Sequence, residues 1–288
     1  MNPDYPIYIP SKGRWESRLT VKALDKIGVP YKIVIEEQEY DNYAAVIDPA
    51  KILILPFRDR GLIASRCWIM EHSIQQGFER HWQIDDNIKG FRRMYKNDRI
   101  LVSDGTVFKV IEDFTDRYKN VAFSGMNYTM FAITGLIYNN KNIPFFVNRR
   151  IYSCTLINNA IPYRWRSVYN DDTDICLMAL KDGWCTLLFN AFLCDKARTM
   201  TIKGGNTESL YKLDNADGRL LMAQALQKLH PDVVKITRKW GRWQHQVDYR
   251  PFKANKLILK EGIEIPKGVN NYGMKLVKRS PVIQDESG

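Results

Sequence analysis

The sequence predicts an α/β protein built on a mainly parallel sheet, and three observations carry that expectation. Short β-branched runs alternate with amphipathic stretches through the first 125 residues, the pattern of successive βαβ units. Hydrophobic residues form 45% of the 288-residue chain and aromatics 12%, enough for a sizeable core and too much for a disordered, collagenous or coiled-coil chain. No run approaches the roughly 18 apolar residues of a membrane helix, and MNPDYPIYIP lacks a basic region followed by an apolar one. The expected compartment is the cytosol.

PIYIP is the first predicted strand. A helix over 16–27 follows, with Leu19, Ala23, Leu24 and Ile27 on one face and Gly28 and Pro30 as its stop. YKIVIEE is the second strand and ILILP, ending at Pro56, a third, buried one; the helix over 61–76 is ended by Gly77. HWQI is the fourth strand and runs directly into Asp85-Asp86-Asn87. A helix over 104–118 places Val107, Val110, Ile111 and Phe114 inward, and VAFSG is the next strand. Beyond about residue 126 the pattern is mixed: a strand IYSCTLIN, a helix starting near Asp172 and a strand CTLLFNAFL. With no repeat and no linker, the expected organisation is one domain over 1–229. Its halves are a nucleotide-binding 1–125 and an acceptor-side 126–229, and a basic, aromatic extension follows over 230–288.

The formal net charge of +11 favours polyanionic partners, nucleic acid or nucleotide phosphate, without choosing between them. Five cysteines, an odd set with no C-x-x-C pair, read as buried reduced thiols and argue against a disulfide framework or a zinc site.

The chemistry concentrates at predicted strand ends. Two carboxylates and an amide directly after an apolar strand sit where open α/β sheets bind ligands. Hard cations such as Mg²⁺ or Mn²⁺ take such oxygen ligands together with substrate phosphates, so Asp85, Asp86 and Asn87 are candidate metal ligands; a solvated Asx turn is the alternative. Lys12 and Arg14 follow the first strand around Gly13, Glu36 closes the second, and Arg66 could reach a diphosphate. Asp171, Asp172 and Asp174 crowd a helix start, where the macrodipole favours carboxylates whatever the protein does and where a general base could also sit.

YIPSKGR, a glutamate closing the second strand, IDDNI and DDTDICLMALKDGW together resemble metal-dependent glycosyltransferases of the GT-A fold, and IPSKGR, GLIASRCWIMEHS, IDDNIKGF and TIKGGNTESLY resemble more closely the TET/JBP-associated glycosyltransferases, a largely phage-encoded group, over about residues 5–212. The resemblance implies a GT-A-like fold and transfer of a sugar from a nucleotide donor to 5-hydroxymethylpyrimidines in DNA. It implies that the aspartate-rich turn holds metal and diphosphate, and that Asp172, the final acid of a Glu-Asp-type motif, is the base of a direct inverting displacement. Asn87 departs from the pattern, which often has a third aspartate there.

The combined expectation is a UDP-sugar held by Pro10, Lys12, Arg14, Glu36, Arg66 and Asp85, with Mn²⁺ or Mg²⁺ on Asp85, Asp86 and Asn87. The acceptor side falls to Asn206, in a Gly-Gly-Asn turn, and to Arg238, Lys239, Arg242, Trp243 and His245 in ITRKWGRWQHQVDYRPFK. There, basic groups could meet phosphates and aromatic faces could stack on an exposed base, or the tryptophans could pack a hairpin on the core. The other histidines, His72, His81 and His230, lack ligand spacing and read as structural. A polysaccharide or protein acceptor, and a DNA-binding module without activity, are the alternative functions.

Overall fold

A computed structural model describes residues 1–95, 98–132, 143–197, 218–265 and 268. The first half opens with β1 (Ile7–Pro10), α1 (Leu19–Lys26), β2 (Lys32–Glu36), α2 (Tyr40–Ala44), β3 (Ile52–Leu55) and α3 (Gly61–Gln75). It continues through β4 (Arg80–Ile84), β5 (Ile88–Tyr95), β6 (Asp98–Leu101), α4 (Thr106–Thr115) and β7 (Val121–Tyr128). The second half adds β8 (Phe145–Val147), β9 (Cys154–Asn158), α5 (Asp171–Lys181) and β10 (Cys185–Lys196), then α6 (Gly218–Leu229) and a separate hairpin of β11 (Val234–Lys239) and β12 (Arg242–Val247).

One ten-stranded sheet runs in the order β3-β2-β1-β4-β9-β7-β10-β5-β6, with β8 also paired to β10. Alternating residues of the buried strands serve two helical layers. Ile7 and Ile9 of β1 face a core shared with Val21 and Leu24 of α1 and Phe108 and Ile111 of α4. Tyr8, between them, faces Ile69 of α3, and on that same side Ile175 and Ala179 of α5 pack against Phe123 of β7 and Ile157 of β9. Each buried Val, Leu, Ile or Phe among these contributes on the order of 1.5–3 kcal/mol.

The mainly parallel sheet expected from the sequence is corrected to a mixed one. Among the described strands only β1–β2, β1–β4, β2–β3 and β7–β10 are parallel. β9 enters antiparallel between β4 and β7, and β5, β6 and β8 add antiparallel neighbours. The buried third strand is also corrected: β3 is an edge, and Ile54 is 43% exposed. The first helix starts at Leu19 rather than residue 16, because the Thr20 side chain is used to dock its first turn. Thr20 Oγ1 donates to the Asp85 carbonyl at 2.5 Å and accepts from the Ile88 amide at 2.9 Å.

Near the end of the chain, Leu177 and Leu180 of α5, Leu226 of α6 and Val233, Val234 and Phe252 form one cluster, which fixes the root of the β11–β12 hairpin beside α5. The five cysteines are free thiols. Among the described residues no helix is long and apolar enough to cross a membrane.

Candidate active site

The carboxyl ends of β1, β2 and β4 lie side by side, so the segments that leave them meet at one edge. Asp85 is at the centre. Its Oδ1 accepts from Arg66 Nη2 at 3.0 Å, and its Oδ2 accepts from Ser153 Oγ at 2.6 Å and Lys196 Nζ at 3.0 Å. Lys196 also donates to Ser153 Oγ at 2.6 Å. Burial alone would raise the Asp85 carboxyl, but the charges of Lys196 and Arg66 outweigh it and hold the group well below the usual carboxylate range. The reciprocal holds for Lys196, where burial opposes the charged form and Asp85 more than restores it.

Asp86 points the other way. It pairs with Arg14 Nη1 and accepts from Ser11 Oγ at 2.8 Å. Here burial prevails over Arg14 and the carboxyl is raised above its ordinary value. Lys12 bridges Glu36 and Asp59 at 2.7 Å each, and Glu36, buried at the end of β2, also accepts from Gln38 at 2.6 Å. Gly13 turns the chain at φ +66 so that its amide reaches Glu39 Oε1 at 2.7 Å. Pro10 closes β1 beside Val34, and the Asn87 carbonyl accepts from the Ala197 amide at 2.9 Å while its Oδ1 is buried without a partner among the described residues.

The three acids of α5 separate into three environments. Asp174 is 1% exposed and structural, accepting from Arg166 Nε at 3.1 Å and meeting His230 Nε2 at 2.7 Å. Asp171 Oδ2 lies 3.0 Å from Arg66 Nε, a close ion pair without hydrogen-bond alignment. Burial, relieved in part by Arg66 and reinforced by the charge of Asp172, raises Asp171 to about 6. Asp172 has no ion pair among the described residues; its Oδ1 accepts from its own neighbour, the Thr173 amide, at 2.7 Å. Arg66 thus ties the aspartate turn to the start of α5, and Gln83 seats it from below at 3.3 Å.

Lys12, Arg14, Glu36, Arg66, Asp85, Asp86 and Asp171 therefore share one edge, with Asp172 on the adjoining turn. Arg238, Lys239, Arg242 and Trp243 lie apart from it, toward the tip of the hairpin, where Arg238 stacks on Trp243 at 5.7 Å. His245 faces Arg150 at 3.2 Å. His72, His81 and His230 have protein partners in Tyr8, Asn159 and Asp174, as structural histidines do. Asn206 lies outside the described residues. Lys196, Ser153, Ser11 and Arg150 were missed by sequence reasoning. Lys196 and Ser153 reach Asp85 only through antiparallel registers, Ile88 against Lys196 and Ile84 against Cys154, which no local pattern announces.

This is an α/β protein with a cluster of charged side chains at the carboxyl edge of its sheet. A family model described as TET-Associated Glycosyltransferase matches residues 5–205, more than half of the chain, and the chain belongs to that family. No curated protein matches it. Among solved structures, mannose-6-phosphate isomerase from Helicobacter pylori is similar at 8% identity, over 90% of this chain and 94% of that one, with a TM-score of 0.27. A likeness at that level carries no argument about fold or function.

Proposed function

We propose that the chain is a GT-A-like glycosyltransferase that moves a sugar from a UDP-sugar to the hydroxymethyl group of a 5-hydroxymethylpyrimidine in DNA. The observation that carries the reading is Arg66, which contacts Asp85 of the turn and Asp171 of α5 at once and so joins a candidate donor-binding turn to the first turn of the helix that carries the candidate base, Asp172. The family's name supports transfer of a sugar, and the net charge of +11 supports a polyanionic acceptor.

In this reading the diphosphate enters between Lys12 and Arg14 on one side and Arg66 and Lys196 on the other, exchanging their carboxylate partners for phosphate oxygens. Glu36, at the end of β2, accepts from the ribose hydroxyls. The acceptor oxygen attacks the anomeric carbon, the bond from that carbon to the diphosphate breaks with its electron pair leaving on UDP, and Asp172 takes the hydroxyl proton. One backside displacement inverts the anomeric configuration. Lys196 and Arg66 stabilise the charge that grows on the leaving oxygen.

Asp85, Asp86 and Asn87 offer the hard oxygen donors that Mn²⁺ or Mg²⁺ requires, and Asn87 Oδ1 has no protein partner among the described residues. Both oxygens of Asp85 and both of Asp86 already accept from protein donors, so a cation would bind with the donor, whose phosphates complete its shell. Bound there, it would add charge stabilisation for the departing diphosphate. Among the described residues no three His, Cys, Asp or Glu side chains form a ready-made metal cluster.

The deciding experiment incubates the protein with hydroxymethylated and unmodified DNA and a panel of nucleotide sugars, followed by nucleoside mass spectrometry. A hexose adduct on the hydroxymethyl base is expected. Sugar transfer to a polysaccharide or protein but not to DNA would overturn the acceptor assignment.

A further inference from the structure

Between the β11–β12 hairpin and the main sheet lies a cavity of about 400 Å³ that none of the sheet-edge residues enters. Its polar lining is Arg149, Arg150, Tyr152, Gln244, His245 and Tyr249. Neither guanidinium has a carboxylate partner among the described residues. Each lies over a ring instead: Arg149 at 5.0 Å from the centre of Tyr249, and Arg150 at 5.1 Å from that of Tyr152.

Arg150 Nη1 lies 3.2 Å from His245 Nε2, and because arginine only donates, that imidazole nitrogen accepts and the ring carries its proton on Nδ1. Burial, reinforced by Arg150, lowers His245 to about 4, so the ring is neutral at physiological pH. The Tyr249 hydroxyl is buried with no partner among the described residues. The charge of Asp172 is felt by both Arg150 and His245, which places the cavity within electrostatic reach of the candidate base.

Two cations without an ion-pair partner among the described residues, each a flat guanidinium backed by a ring, together with an amide and a buried hydroxyl around this volume, suit a ligand that is anionic at one end and planar at the other. We propose that the cavity seats a single pyrimidine nucleotide turned out of a DNA strand, its phosphate on Arg149 and its ring stacked on the Arg150 guanidinium that lies over Tyr152, presented toward Asp172. Chemistry on a base requires such extrusion from a duplex. The hairpin that walls the cavity also ends in exposed Arg238, Lys239 and Arg242, with Trp240 89% exposed at the turn, so the strand and its extruded nucleotide would meet one continuous element. The inference rests on the proposed DNA acceptor and names the seat of that acceptor.

The test is equilibrium binding of two trinucleotides to the full chain, one with a central 5-hydroxymethyldeoxycytidine and one abasic at the centre, with UDP and inorganic phosphate as competitors. The base-containing probe is expected to bind about tenfold or more tightly, the worth of one stacked base. That preference should vanish in Arg150→Gln, which removes the stacking plane, and fall in Gln244→Ala, which removes an amide lining the cavity, while UDP affinity stays unchanged. Arg149→Gln, at an exposed position, supplies a variant whose folding is not at issue, and it should weaken both probes. Equal binding of the two probes, displacement of the base-containing probe by UDP or by phosphate, or wild-type binding in all three variants overturns the proposal. Expected binding without transfer from any donor would sink the glycosyltransferase reading and leave the cavity; normal transfer to DNA with KM unchanged in the variants would do the reverse.

Discussion

Asp172→Asn and Asp174→Asn, two residues apart on α5, should fail in opposite ways. Asp174 is 1% exposed and meets buried His230 at 2.7 Å, with Arg166 bound by two further contacts of 3.0 and 3.1 Å. Arg166 is half-exposed, so its share is discounted for solvent screening. Losing the carboxylate partner of a buried group costs about 3 kcal/mol. At roughly 2.1 cal/mol/K of unfolding entropy per residue, a chain of 288 residues shifts by about 5 °C for that loss. Asp172 is bonded only to Thr173, a contact that asparagine can keep, so its replacement costs at most about 1 kcal/mol, or roughly 2 °C. Its turnover, however, should fall by a factor of about 10² to 10⁴. Thermal melts and initial rates on hydroxymethylated DNA, measured side by side, decide the matter. The reasoning is refuted if Asp172→Asn keeps more than about a tenth of wild-type kcat, where a lost base predicts at least that 10²-fold drop, or if Asp174→Asn melts with the wild type.

UDP binding measured by calorimetry should strengthen on adding Mn²⁺, and Asp86→Ala should abolish the difference; equal affinity in EDTA removes the cation from the proposal. Asp171 is raised to about 6, so between its unfolded value and that point the folded state binds the extra proton, and its contribution to stability is lost as pH rises through about 6. Asp171→Asn cannot titrate, so its melting temperature relative to wild type should climb from pH 4 to pH 7, and a flat difference refutes the assignment. Arg242→Ala, on the exposed hairpin, should weaken DNA of any sequence and reduce the salt slope by about one unit; an unchanged slope would place the phosphate contacts elsewhere.

The legible parts of the fold are those in which local pattern and environment agree. IYIP, KIVIE and RHWQI are apolar enough to be read as buried strands, and Gly77 at φ +80 ends α3 where a residue free to adopt positive φ was expected. IKGFRRMY and DRIL were invisible as strands because they lie toward the far sheet edge, mostly part-buried or exposed, with Lys89, Arg92, Arg93 and Arg99 interrupting any apolar alternation. The strand expected from Ile151 begins only at Cys154, since Ser153 adopts φ +58, which places its hydroxyl on Asp85. The aspartate turn and the α5 acids were readable because each adjoins an apolar run in sequence. Lys196 was not, as 111 residues separate it from Asp85 and a register shift in β10 between Cys194 and Lys196 aims it there.

At Trp240 a local backbone rule and a use in recognition pull in opposite directions. Trp240 and Gly241 occupy a two-residue hairpin turn with φ of +51 and +72, a turn type that asks for asparagine followed by glycine. Glycine is present, but a bulky ring stands where asparagine belongs, at a strain cost of order 1 kcal/mol, and being 89% exposed it recovers little of that by burial. Trp240→Asn should therefore raise the melting temperature by about 2 °C, by the same entropy conversion. If the ring is kept for contact with unstacked bases, the stabler variant should bind the hydroxymethylated strand more weakly, by the roughly 1–3 kcal/mol of a lost stacking contact. A variant that gains stability and binds DNA as the wild type does would leave the tryptophan without a role in recognition, and one that loses stability would show that the turn is not strained.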